Sequence, residues 1–315
     1  MPGSPQAQAG NLALARAMRD REPIRQLTDY AKVRQARFTM RLIRIQIQAF
    51  LSLSLVFVAT LDAQQADDLS RVFAEIRSDR IQVVDLTHPL DDQSPYWPEG
   101  QAASPFHASV AATFEKDGYF ARLITMPEHF GTHMDAPAHF DPKGMTVDQI
   151  PVEEFLSEAM VVNVSGRWKT DPDYRDYRVT VADLDEWTKV HGAMPRGCVV
   201  LLRTGWGSLW PSQKDYMNPD SAGVLHFPGL SLEAAKWLLE RVHPVAIGID
   251  SPSVDYGPSK NFEVHHLTMG AGLYHLENLI HLGALPPRGA YVIALPMKLA
   301  GGSGSPARVL ALVRK

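Results

Sequence analysis

Cysteine is nearly absent from this chain: Cys198 is the only one in 315 residues. A single thiol excludes an intrachain disulfide and weakens any case for a structural zinc site. It lies in the apolar run Cys198-Val199-Val200-Leu201-Leu202, where it reads as a buried strand residue rather than a nucleophile. An excess of one charge is missing too. With a net charge of −4, a pI of about 6.3 and 21% charged residues, the globular part carries no basic patch, and no nucleic-acid partner is expected. Nor is there an apolar run of membrane-spanning length: the most apolar stretch, residues 49–61, falls short of the roughly 20 residues a span needs. The glycine-rich segment at 301–306 lacks the Gly-x-x-x-x-Gly-Lys spacing and opens no helix, so it is not a phosphate loop; it reads as a tight turn lining a pocket. No internal repeat is visible. What remains, at 45% hydrophobic residues, is enough to bury a substantial core.

What is plentiful is histidine in one place. Three of the twelve histidines and one aspartate fall within eleven residues, His129-Phe130-Gly131-Thr132-His133-Met134-Asp135-Ala136-Pro137-Ala138-His139. Imidazole and carboxylate are standard ligands for zinc-like and manganese-like ions, and such a cluster is a poor way to build a core. Donor atoms on one ion must approach within about 4 Å of each other. Four residues of extended chain from His129 to His133 would span about 13 Å, so the chain must curl there, as in one helical turn, with Gly131 permitting the angles. The spacing of two from His133 to Asp135 places both side chains on one side of an extended segment. Pro137 stops any helix. His139 keeps the parity of His133 and Asp135 and is placed to face the same ion from further off.

At these residues the chain resembles the metal-dependent cyclase family of hydrolases, which includes kynurenine formamidase and isatin hydrolase. Every fixed position of that family's HxGTHxDxPxH signature is present in 129–139, and the resemblance runs over about residues 82–313. The family takes its remaining ligands from a His and a Glu twelve residues apart. His265 and Glu277 have that spacing; His266 fits less well, and His275 is a rival that flanks the site. By resemblance, His129, His133 and Asp135 hold one ion, while Asp135, His265 and Glu277 complete a second, with Glu277 touching both. The same likeness makes His139 the proton-transfer residue and Trp97, fixed between Pro95 and Pro98, a substrate contact.

Elsewhere the pattern is mixed. Strands are expected at residues 81–87, 106–110, 119–126, 159–164, 198–203, 245–250, 290–296 and 307–313. Helices are expected at 67–79, from about 150, after Thr180 with Asp183 as a loose capping box, and after Ser231, with Leu232, Ala235, Leu238 and Leu239 on one face. His226 reads as structural. Strands outnumber helices without strict alternation, which suggests one α/β domain over a mixed sheet; the resemblance implies a single-domain swivelling β/β/α-type fold around a mixed, barrel-like sheet, usually in homo-oligomers.

Three segments are expected: an upstream extension at 1–39, poorly ordered; a signal peptide at 40–63, with a basic start, an apolar region and a small-residue cleavage site before Gln64; and the hydrolase domain at 64–315. Export to the periplasm or outside follows, with no stable membrane span after cleavage. The function expected from the resemblance is hydrolysis of C–N amide bonds in aryl-formamide or cyclic-amide small molecules, using Zn2+ or Mn2+, one or two ions per chain. The alternatives are cyclic-amide opening of the isatin hydrolase type specifically, and a secreted metal- or ligand-binding protein without turnover; the intact His139 counts against the second.

Overall fold

The computed structural model describes residues 68–98, 104–169, 171 and 173–315, together with the isolated residues 40, 46 and 48. Contacts divide the chain into two units, Met1–Ala74 and Glu75–Lys315. The expected extension at 1–39 lies outside the described residues, as does the expected signal peptide at 40–63 but for those three positions. Among the described residues no helix is long and apolar enough to cross a membrane. Residues 68–77 are helical, close to the expected 67–79.

The strands in chain order are β1 (Ile81–Asp85), β2 (His107–Ala112), β3 (Ala121–Thr125), β4 (His133–Asp135), β5 (Leu156–Asn163), β6 (Arg178–Val179), β7 (Val199–Arg203), β8 (Gly229–Leu230), β9 (Ala246–Ile249), β10 (Tyr274–Glu277), β11 (Ala290–Pro296) and β12 (Gly304–Arg314). Eight form one sheet in the order β1-β12-β11-β5-β7-β9-β10-β4, and β4 also pairs with β12. That last pairing closes seven strands into a mixed barrel and leaves β1 as an added strand. β12 is long enough for this because one edge is shared: Gly304 to Pro306 face β4, and Leu310 to Arg314 face β1.

Of the parallel strands β5, β7, β9 and β10, the first three carry apolar runs because both their faces are covered. Alternate residues divide between two cores. Ala159, Val161, Val199, Leu201, Ala246, Met134 and Leu276 belong to one cluster with residues of β1, β11 and β12, which fills the barrel. Met160, Val162, Val200, Leu202, Ile247 and Ile249 belong to the other, beneath helices Val181–His191 and Leu232–Arg241. The helix Val181–His191 starts in the expected capping box of Thr180 with Asp183, and Ser231 caps Leu232–Arg241. The buried stripe of the latter includes Ala234 and Trp237 beside the expected Ala235 and Leu238. The segment expected to begin a helix near 150 forms two separate 3-10 turns, Val147–Gln149 and Val152–Phe155, since Pro151 interrupts them.

Parity then places the site. Met134 and Leu276 point into the barrel, so His133, Asp135, His275 and Glu277 point out of its wall. They pair across one seam, with His275 opposite Asp135 and Glu277 opposite His133. The helix Glu263–Gly270, which carries His265, is the next element in contact with this corner.

Candidate metal centre

The turn into β4 is a bend rather than the helical turn suggested by spacing. Gly131 has a φ of 60°, and its missing side chain makes room for Leu90, whose Cδ2 stands 2.1 Å from where a Cβ would be. Thr132 and Asn278 lock this bend to the end of β10. The Thr132 hydroxyl donates to the Asn278 carbonyl at 2.6 Å, and the Asn278 amide donates to the Gly131 carbonyl at 2.8 Å. Tyr216 in turn donates to Asn278 Oδ1 at 2.8 Å.

The structure brings His129, His133, Asp135, His265 and Glu277 together. His133 Nε2 is 3.0 Å from Asp135 Oδ1 and 3.6 Å from Glu277 Oε2. His265 Nε2 is 3.4 Å from Asp135 Oδ2 and 3.3 Å from Glu277 Oε1. Two donors about 2.1 Å from one ion at tetrahedral or octahedral angles stand about 3.0–3.4 Å apart. The donor set therefore fits a divalent ion in chemistry and in spacing. His129 differs: its Nδ1 is 2.5 Å from Asp135 Oδ1, a direct hydrogen bond, and its Nε2 meets Ser303 Oγ at 3.0 Å. Asp135 thus turns one oxygen to His129 and His133 and the other to His265.

Tautomers are set from behind. His133 Nδ1 faces the Gly131 carbonyl at 2.9 Å, and His265 Nδ1 faces Asp255 Oδ2 at 2.7 Å. An N–H spent on an acceptor leaves the Nε2 lone pair for the centre. Charge points the same way. Desolvation disfavours the His133 cation, but the Asp135 carboxylate beside it outweighs this and raises its pKa to about 9. His265 is raised well above the usual value, its desolvation outweighed by hydrogen bonds to Asp135, Asp255 and Glu277. Burial works against the Asp135 anion, yet the neighbouring His133 and His129 hold its pKa well below the usual range. A buried pocket that binds protons this firmly is one that demands positive charge.

His139 does not lie on an extended strand as parity suggested. Pro137 opens a 3-10 turn, Pro137–His139, and the His139 ring comes round to stack on His129 at 3.8 Å. Desolvation in this crowded corner pushes its pKa down to about 4, so the ring is neutral at neutral pH. His266 is exposed, and His275 is fully buried. His226 pairs with Asp176 at 2.7 Å, away from the centre, as a structural residue would.

His129, His133, Asp135, His139, His265 and Glu277 open on one cavity of about 250 Å³. Tyr96, Trp97, Phe130, Phe140, Met217 and Phe262 supply its apolar walls. Trp97 is held edge-on by Phe227 at 6.1 Å and tilted on Phe262 at 6.2 Å. The glycine-rich turn does approach the site, but beneath His129: a Cβ on Gly304 would lie 2.3 Å from the His129 ring.

Spacing did not reveal Asp255, Asn278 or Glu128. Asp255 buttresses His265 from ten residues upstream. The carboxylate of Glu128 accepts from the Ser303 backbone and hydroxyl, both at 2.9 Å, and so anchors the glycine-rich turn. Each is a lone acidic or amide residue whose partner is fixed by folding, and only Glu128, next to the motif, carried any local signal.

The family model described as "Putative cyclase" matches residues 84–256. Isatin hydrolase of Roseibium aggregatum is 31% identical over 270 residues, 81% of this chain and 100% of that protein. Kynurenine formamidase of Geobacillus thermodenitrificans is 30% identical over 71% of this chain and 94% of that protein. Among solved structures, isatin hydrolase A from Ralstonia solanacearum superposes with a TM-score of 0.73 at 34% identity, covering 78% of this chain and 97% of that one.

Proposed function

The chain belongs to the cyclase family, and from that premise we propose that it is a metal-dependent hydrolase of C–N amide bonds in aryl-formamide or cyclic-amide substrates. The observation that carries this reading is the convergence of His129, His133, Asp135, His265, Glu277 and His139 on one aromatic-walled cavity. His133, Asp135, His265 and Glu277 would hold the metal, with His129 joining through Asp135. When bound, the ion supplies a Lewis acid for the carbonyl and water activated at neutral pH.

The chain's own residues do the rest. Trp97, Phe130, Phe140 and Phe262 line the walls for a flat aromatic substrate and exclude bulk water. His139, neutral and in the cavity, takes a proton from the attacking water. It returns the proton to the nitrogen as the C–N bond breaks, giving a carboxylic acid and an amine, as two products from a formamide and on one opened molecule from a cyclic amide. Asp255 and the Gly131 carbonyl keep the His265 and His133 rings turned inward.

Isatin hydrolase of Roseibium aggregatum matches 81% of this chain at 31% identity, against 71% at 30% for the kynurenine formamidase of Geobacillus thermodenitrificans, and this wider match favours cyclic-amide opening over formamide cleavage. The test is metal content and hydrolysis of isatin and N-formylkynurenine by one purified sample, before and after chelation and add-back of Zn2+ or Mn2+. Chelator-sensitive opening of isatin supports the cyclic-amide form; cleavage of the formamide alone supports the arylformamidase form. A metal-free protein inactive on both overturns the reading. The donor set of nitrogens and carboxylate oxygens suits zinc and manganese alike, and metal analysis decides between them. Export rests on the residue pattern at 40–63; N-terminal sequencing of the secreted protein is expected to begin at Gln64.

A further inference from the structure

His275 has no task in the scheme above, and its surroundings give it one. On β10 it shares a face with Glu277 and stands opposite Asp135 on β4. Its ring is fully buried and meets His265 edge-on, with centroids 4.6 Å apart. The Thr268 hydroxyl gives its one proton to the Val264 carbonyl at 2.7 Å, so at 2.8 Å it must accept from His275 Nε2–H. The neutral ring then carries a bare lone pair on Nδ1. No solvent reaches that atom, and it has no hydrogen-bond partner. A buried acceptor without a donor has lost its hydration and gained nothing.

The neighbouring donors supply the explanation. Asp135, His265, His275 and Glu277 each offer a ligand atom, and these four atoms lie within 4.8 Å of one another. Donors on opposite sides of one ion stand about 4.2–4.4 Å apart, so four donor atoms grouped this closely are within reach of a shared ion. We propose that His275 is a further metal ligand, joining Asp135, His265 and Glu277 around the ion that His265 faces. This rests on the reading of the centre as a metal site. It adds a ligand from the floor of the site, on the strand that already carries Glu277.

The test compares wild type with His275→Gln and His275→Leu by chelator competition for Mn2+ and by the visible absorption of the Co2+-loaded proteins. Gln places an amide N–H where Nε2–H lies, so it keeps the Thr268 bond while removing the donor at Nδ1. Both variants are expected to bind Mn2+ at least about 10-fold more weakly and to shift the Co2+ spectrum through loss of a nitrogen donor. The metal-free melting temperature of the Leu variant is expected to hold or rise, because a buried unpaired lone pair is gone. If Gln binds Mn2+ as wild type does and leaves the Co2+ spectrum unchanged, His275 serves the fold through Thr268 and the proposal is overturned. Because Gln retains that bond, it decides the matter even if Leu fails to fold. Wild type that binds no metal at all would bring down the metal reading itself, a distinct failure.

Discussion

His139 and His129 stack face to face, yet the chemistry around them separates their tasks. His129 is engaged at both nitrogens, by Asp135 and by Ser303. His139 has no such tie and stays neutral, which leaves it free to move a proton. Replacing His139 by Ala is expected to lower kcat by about 10²–10⁴ with metal content unchanged, measured on the same preparation; loss of metal along with activity would make it a ligand instead. His88 presents the opposite case, a titratable ring that does not line the cavity. It stacks on Trp210 at 4.2 Å, its Nε2 is buried without a partner, and desolvation pushes its pKa down to about 4. A folded-state pKa below the ordinary 6.5 means that the unfolded chain binds the proton more readily. Stability from this group is therefore full above pH 6.5 and falls as the pH drops towards 4, by about 2 kcal/mol at pH 5. Thermal melting from pH 7 to 5 is expected to show a smaller drop in Tm for His88→Phe than for wild type.

The helix Glu263–Gly270 shows how a short element can be held by one distant side chain. Its N-cap residue, Phe262, sits in the left-handed region and offers no capping oxygen. Asp255 caps it instead, accepting from the backbone N–H of Val264 at 3.1 Å and of His265 at 3.0 Å. The same carboxylate holds His265 Nδ1, so the helix start and the His265 ring are oriented by one group. Its pKa is lowered, with the cost of burial outweighed by its hydrogen bond to His265. Asp255→Ala is expected to weaken metal binding about 10–100-fold, read by chelator competition. It should also cost about 1 kcal/mol of stability in the metal-free protein, as loss of a cap does. An unchanged metal affinity would assign Asp255 to the helix alone.

At the scale of the molecule, the hairpin β2–β3 stands as a separate two-stranded sheet. Val110 and Ile124 lie on one of its faces and Leu123 on the other, and all three are exposed. Phe114, Tyr119 and Phe120 at its connection are more than half exposed as well. A lone hairpin is marginal in water, and large exposed apolar side chains gathered on one element mark an interaction surface. The homo-oligomer expected from the family resemblance would place a second copy of this chain on this face. Because Ser104, Phe130 and Pro127, at the roots of this hairpin, line the cavity, the contact would also steady the substrate pocket. Leu123→Glu with Ile124→Glu is expected to shift the protein to monomer in sedimentation equilibrium, with the metal retained; an unchanged oligomer, or a monomeric wild type, would remove this surface from consideration.

What was legible in the sequence is what short-range covalent geometry constrains. His129, His133, Asp135 and His139 are bound to be neighbours because eleven residues that curl at Gly131 cannot separate them. The strands β5, β7 and β9 announced themselves as apolar runs, and Thr180 and Ser231 as caps, since each signal is complete within a few residues. Trp97 and the pair His265 and Glu277 were reached through the family pattern, as nothing local distinguishes Glu277 from a surface acid. The closed barrel, the choice among His265, His266 and His275, and the supporting parts played by Asp255, Asn278 and Ser303 belong to the tertiary structure. The β4–β12 pairing joins residues some 170 positions apart in the chain, and strand parity relative to the barrel then turns Glu277 and His275 towards the metal-binding side while Leu276 goes to the core. A side chain's role in such a site is decided by which face it is given and what stands opposite. Both are properties of register, and register between distant strands is fixed only when the whole sheet closes.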